Sequence, residues 1–147
     1  MSTTSPIKNH IFVNQVNISF VNTEIMKKEI IFKFVNAINT QNLPLIIDMM
    51  AEDFSFIDTY GMQENKEQMK IGWKGYFDWF PDYRIEIRDY VETDTYAILL
   101  GTASASYLGK KDKHWEIPAV WKVVISGNQI KIWQVFCDSK KQLDSMQ

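Results

Sequence analysis

The sequence predicts an α+β domain, with three helices on one face of a curved antiparallel sheet. Three observations lead there. Helical apolar spacing dominates the first half and stops at Pro81. Four long strand-like runs then follow with only short turns between them, which makes them antiparallel neighbours. Those runs are apolar on both faces, whereas a sheet with one wet face alternates more cleanly.

Residues 1–22 read as a tail or extended arm: 1–10 are polar and contain Pro6, and 11–21 alternate loosely. The domain itself is assigned to 23–147. Its first helix is expected over Glu24–Asn39, with Thr23 as N-cap and Glu24 at the positive helix start. Ile31, Phe34, Val35 and Ile38 make its apolar face. A second helix runs to about Met50, with Pro44 in its first turn, where a missing N–H costs nothing. Phe54–Asp58 reads as a short strand, closed by the turn Thr59-Tyr60-Gly61. Helix three starts near Asn65, with Gln68 three residues on as a variant capping box. Met69, Trp73, Tyr76, Phe77 and Phe80 share its apolar face, and Pro81 ends it.

The long strands are expected at Tyr83–Val91, Tyr96–Tyr107, Trp115–Ile125 and Gln129–Cys137. Asp94, Gly109 and Gly127-Asn128 mark the turns, and Ser139–Met146 forms a closing helix. In the last strand Ile132 and Phe136 are assigned to the cavity side, and Trp133 and Val135 to the outside. An outward apolar face of that size predicts a homodimer.

Composition narrows the function. At 147 residues the chain is one domain. A formal net charge of −2 and a pI near 5.7, with no basic stripe, argue against a nucleic-acid partner. Cys137 is the only cysteine, which excludes an intramolecular disulfide and fits a reducing, cytoplasmic setting. Met1–Asn22 holds no unbroken apolar run, so neither a signal peptide nor a membrane span is expected. Two His and one Cys without clustered spacing predict no metal site, and no glycine-rich phosphate loop is present. No cofactor is implied. Aromatic residues make up 14% of the chain, a payload suited to a packed core or a pocket lining.

Two segments carry a family resemblance. Ala51-Glu52-Asp53-Phe54-Ser55-Phe56-Ile57-Asp58-Thr59-Tyr60-Gly61 leaves a helix, forms a short strand and ends in an acidic turn. Gly127-Asn128-Gln129-Ile130, followed by Trp133-Gln134-Val135-Phe136-Cys137-Asp138, forms a closing hairpin. In this order the chain resembles the nuclear transport factor 2-like, or SnoaL-like, superfamily over about residues 24–146. The resemblance implies a cone-shaped α+β barrel enclosing an apolar pocket. It does not fix a reaction, because the superfamily holds polyketide cyclases, ketosteroid isomerases, scytalone dehydratases, limonene epoxide hydrolases and non-catalytic domains.

Asp58 falls where the resemblance places the proton-transferring carboxylate of the isomerases. Phe34 stands where those enzymes have a donor tyrosine, and Ala119 where they have a protonated aspartic acid, so both oxyanion donors are replaced. Limonene epoxide hydrolases have an aspartate where this chain has Val135. Scytalone dehydratases rely on a histidine and aspartate pair, to which His114 is not matched. Polyketide cyclases use an aspartate late in the chain, for which Asp138 is the candidate.

Each candidate also has a plainer reading. Asp58 lies beside Phe54 and Phe56, where apolar surroundings raise a carboxyl pKa as a general base needs; otherwise it bonds the turn. Asp138 is an acid/base or the cap of the closing helix. His114 is a proton carrier or a solvated hairpin residue beside Lys111, Asp112 and Lys113. Cys137 reads as an inert buried thiol. Phe34, Phe56, Trp73, Phe77 and Ala119 are candidate apolar lining, and Tyr60, Tyr76, Ser104 and Trp121 candidate polar handles. Two functions follow. One is a cofactor-independent cyclase, isomerase or dehydratase, or a binder, acting on a small apolar molecule. The other is a non-catalytic ligand-binding or dimerisation domain.

Overall fold

The computed structural model describes residues 27–147. The predicted arm over 1–22, the Thr23 cap and the predicted start of the first helix lie outside them. Helix α1 covers 27–39 and buries Ile31, Phe34, Ala37 and Ile38 completely. Gln41 turns the chain with a left-handed φ of 53°. Helix α2 is Leu43–Met49, capped by the Asn42 side chain, which accepts from Leu45 N. Helix α3 is Lys66–Trp79, and its capping box is complete. Asn65 Oδ1 accepts Gln68 N at 2.9 Å, and Gln68 Oε1 accepts Asn65 N at 2.8 Å. A short α4, Lys140–Ser145, closes the chain.

The strands are β1 (Met50–Ile57), β2 (Gln63–Asn65), β3 (Arg84–Glu92), β4 (Ala97–Ser106), β5 (His114–Ser126) and β6 (Gln129–Cys137). They form one open sheet of six in the order β2-β1-β6-β5-β4-β3, not a closed barrel. Two 3-10 turns, Tyr107–Gly109 and Lys111–Lys113, link β4 to β5. The sheet is mixed: β1 runs parallel to β6, while the other pairs are antiparallel. A wholly antiparallel sheet was expected because only adjacent hairpins constrain direction in sequence. β1 and β6 are not joined by a hairpin, so no turn sets their orientation. β2 has no apolar alternation, and only its pairing with Ser55–Ile57 reveals it.

The face assignment of β6 is reversed from expectation. Trp133 is 1% exposed and faces inward with Val135 and Cys137, whereas Phe136 is 47% exposed on the outer face. The cause is a bulge. Val124 pairs Ile132 and Ile125 pairs Ile130, which leaves Lys131 as an extra residue. One inserted residue inverts strict alternation, so Ile130 and Ile132 do not share a face.

The helices pack on the inner face through aromatic contacts. Phe34 meets Trp133 at 5.1 Å and Trp73 at 6.2 Å between ring centroids, both edge-on. Asn39, at the end of α1, bonds the edge strand β3: Nδ2 donates to Ile85 O at 2.9 Å and Oδ1 accepts Ile85 N at 2.7 Å. One amide side chain thus stands in for a neighbouring strand. No helix among the described residues is long and apolar enough to cross a membrane.

Candidate functional site

Between α3, α4 and the inner face of β5 and β6 lies a cavity of about 510 Å³. That volume suits a small organic molecule. β5 supplies Trp115, Ile117, Ala119 and Trp121 at strict two-residue spacing, and α3 supplies Met69, Trp73 and Tyr76 at helical spacing. The mouth is apolar and exposed. Tyr60 is 71% exposed, Ile71 78%, Trp79 50% and Leu143 49%, and all four line the cavity. An exposed apolar cluster around an opening marks a ligand or partner surface better than scattered residues do.

Asp58 lines the cavity from the turn after β1. Its Oδ1 accepts the backbone N–H of Tyr60 at 2.8 Å and of Met62 at 2.9 Å. Gly61, with φ 84°, completes that turn. One carboxylate oxygen is therefore held by the backbone, and among the described residues the other has no hydrogen-bond partner. The turn is tied to the end of β6 and the approach to α4: Tyr60 and Ser139 hydroxyls stand 2.6 Å apart.

Six predicted lining residues do line the cavity: Phe56, Tyr60, Trp73, Tyr76, Ala119 and Trp121. Three do not. Phe34 is fully buried behind Trp73 and Trp133. Phe77 is stacked on Trp73 at 5.9 Å, one layer behind the wall. Ser104 lies opposite the inward Ala103 and Ala105, on the outer face of β4. Asp138 and His114 are also absent from the lining. Asp138 is exposed, and its Oδ1 accepts Lys140 N at 3.0 Å in a local turn. Ser139, not Asp138, occupies the cap position of α4. His114 is exposed at the start of β5, with Nδ1 2.9 Å from Ser106 Oγ. It sits one residue before the inward Trp115, so it falls on the opposite face.

The cavity also contains residues not foreseen. Tyr83 precedes β3, Cys137 ends β6 and Gln142 lies on α4; all three line the cavity. Gln142 Nε2 donates to the Tyr76 hydroxyl oxygen at 3.1 Å. Tyr76 and Tyr83 rings meet edge-on at 5.0 Å. Burial pushes the Tyr76 phenol well above its ordinary range, with smaller contributions from Tyr83 and Cys137. Burial, then Cys137, does the same to Tyr83. Burial also raises the Cys137 thiol, opposed by a hydrogen bond with Thr59. The indole N–H groups of Trp73 and Trp115 are buried with no partner among the described residues. Trp115 was legible: the alternation through Ile117, Ala119 and Trp121 extends back to it. Trp133 and Val135 were hidden by the Lys131 bulge, and Gln142 by the short, polar character of α4. Among the described residues, no group of three or more His, Cys, Asp or Glu stands together as a metal site.

The fold and cavity can be set against known proteins. No curated protein matches the sequence. Many solved structures do match the fold. A proposed SnoaL-like polyketide cyclase from Jannaschia sp. CCS1 superposes with a TM-score of 0.70 at 13% identity, covering 82% of this chain and 90% of that one. AclR, a proposed hydroxylase from Streptomyces galilaeus, gives 0.68 at 16% identity, covering 80% and 92%. A protein of ketosteroid isomerase-like fold from Catenulispora acidiphila DSM 44928, solved with trimethylamine, gives 0.64 at 18% identity, covering 74% and 84%. At such identities the likeness is one of fold alone. The sequence itself matches the model of the SnoaL-like domain over residues 31–133. That match spans most of the chain, and with the open six-stranded sheet and its helices it shows that the chain belongs to the SnoaL-like domain family.

Proposed function

We propose that this protein binds a small, largely apolar molecule in the cavity and acts on it without a cofactor, as an isomerase, cyclase or lyase with Asp58 as base. The observation that carries this is the Asp58 carboxylate on the wall of a largely apolar cavity, with one oxygen fixed by two backbone N–H groups and the other without a partner among the described residues; the second lining carboxylate, Glu64, is exposed and has no such backbone anchor. A base needs that combination of fixed orientation and a free lone pair. Asp138 and His114 are the weaker choices, because neither lines the cavity.

The experiment is hydrogen–deuterium exchange of the protons beside the carbonyl of 2-tetralone in D2O, followed by NMR. The protein should accelerate exchange, and Asp58→Asn, which keeps the acceptor oxygen of the turn, should remove the acceleration. Equal exchange with the variant would refute Asp58 as base. The second reading, a non-catalytic binder, is favoured by Ala119, which offers no donor where the isomerases place one. In that case 2-tetralone binds and no exchange is catalysed.

The same reading includes a homodimer through the outer sheet face. Leu100, Val120 and Phe136 are register partners across β4, β5 and β6 and form an apolar row there, with Leu100 36% and Phe136 47% exposed. Sedimentation should give a dimer, and Phe136→Lys a monomer of unchanged fold. A monomeric wild type at high concentration would reject this. The lone Cys137, with no disulfide partner in the chain, fits a cytoplasmic setting.

A further inference from the structure

Tyr83 is 8% exposed, lines the cavity, and its hydroxyl has no hydrogen-bond partner among the described residues. Unlike the sealed, unpaired indole N–H groups of Trp73 and Trp115, this hydroxyl is not closed off, so it borders the cavity space. Among the described residues its neighbour Tyr76 has a partner on one side only. The Tyr76 oxygen accepts from Gln142 Nε2, which leaves its own proton free to donate. The two rings meet edge-on, 5.0 Å apart between centroids, and both line the cavity, so the two side chains share one region of the wall. Both phenols are held in the neutral, donating form by burial.

The charge around them is one-sided. Among the described residues no Lys, Arg or His lines the cavity, and its ionisable acids are Asp58 and Glu64. An anionic ligand would lie unbalanced in that setting. An uncharged oxygen acceptor would instead satisfy the phenol donors.

We propose that Tyr76 and Tyr83 form a donor pair that receives an oxygen of the bound molecule, and so select an uncharged, largely apolar ligand bearing a carbonyl-type acceptor. This rests on the reading that the cavity holds a ligand. Tyr76 and Tyr83 are specificity-determining residues, in place of the donors missing at Phe34 and Ala119. Gln142 positions Tyr76 by occupying its lone pair.

The test compares 2-tetralone with tetralin, which has the same ring frame without the oxygen. Affinities are read by calorimetry for wild type, Tyr76→Phe, Tyr83→Phe and the double variant. The ketone-to-hydrocarbon affinity ratio should fall about fivefold in each single variant and further in the double, the scale of one lost hydrogen bond. Tetralin affinity should stay unchanged. In the infrared, the carbonyl stretch of bound 2-tetralone should lie at lower frequency in wild type than in the double variant. This second readout uses wild type as its own reference and reports the hydrogen bond directly. Binding of both compounds with an unchanged ratio and an unchanged stretch would overturn the donor pair alone. Failure of both compounds to bind wild type would overturn the cavity reading, and the donor pair with it.

Discussion

The Thr59 hydroxyl donates to the Cys137 carbonyl at 2.6 Å and accepts the Cys137 N–H at 3.2 Å. One side chain thus satisfies both backbone groups of Cys137, the last residue of β6. It ties the chain to β6 two residues beyond Ile57, where the register pairing of β1 and β6 has ended. This clasp fixes the Asp58 turn against the end of β6.

Thr59→Val keeps the shape and removes both bonds. It leaves a part-buried carbonyl and N–H unpaired, so it should cost about 1–3 kcal/mol. Thr59→Ser should cost less. Urea unfolding with an unchanged slope will measure both. Equal stability of Thr59→Val and wild type would mean that water replaces the clasp.

The buried phenols set an alkaline limit. Tyr76 and Tyr83 both have folded pKa values above the ordinary 10.0, so the folded state disfavours their ionisation. Their contribution is fully present below about pH 10, where the unfolded phenols are neutral. It is lost as pH rises beyond that, because the unfolded chain ionises first and binds fewer protons. Thermal unfolding scanned from pH 8 to 11 should show a decline that begins near pH 10. Tyr76→Phe/Tyr83→Phe should flatten that decline.

Cys137 reports on occupancy. Its thiol is raised by burial and lines the cavity, so iodoacetamide should label it more slowly at pH 8 than it labels a free cysteine. Saturating 2-tetralone should slow labelling further. Labelling at the free-thiol rate, unaffected by 2-tetralone, would place the sulfur outside the occupied volume.

Local signals made most of the fold legible. Asn65 and Gln68 announced the start of α3, and Gln129–Cys137 was bounded by its turn and its apolar run. Long-range pairing was not legible. β1 and β6 meet far apart in sequence, and β2 exists only because Gln63–Asn65 pairs back on β1. The site followed the same division. Ala119 was reached through the family resemblance and Trp121 by its residue type, and the uninterrupted alternation of β5 sets both on the cavity wall. Trp133 and Val135 were misassigned because a single bulge at Lys131 inverts the count. Ser104 and Phe77 show a further limit: residue type suggests a lining role, but the face of the strand or the layer behind the wall decides it.

The most direct test is whether the cavity takes one apolar molecule per chain. Ala119 is 4% exposed and faces the cavity from the middle of β5, so Ala119→Phe fills the space from a rigid wall. Wild type and variant should be titrated with the neutral fluorophore N-phenyl-1-naphthylamine. The account predicts saturable binding of one probe per wild-type chain, and at least about a tenfold weaker affinity in Ala119→Phe, or about 1.4 kcal/mol, with the fold retained. Absence of saturable binding to wild type, or an affinity untouched by the filled cavity, would contradict it.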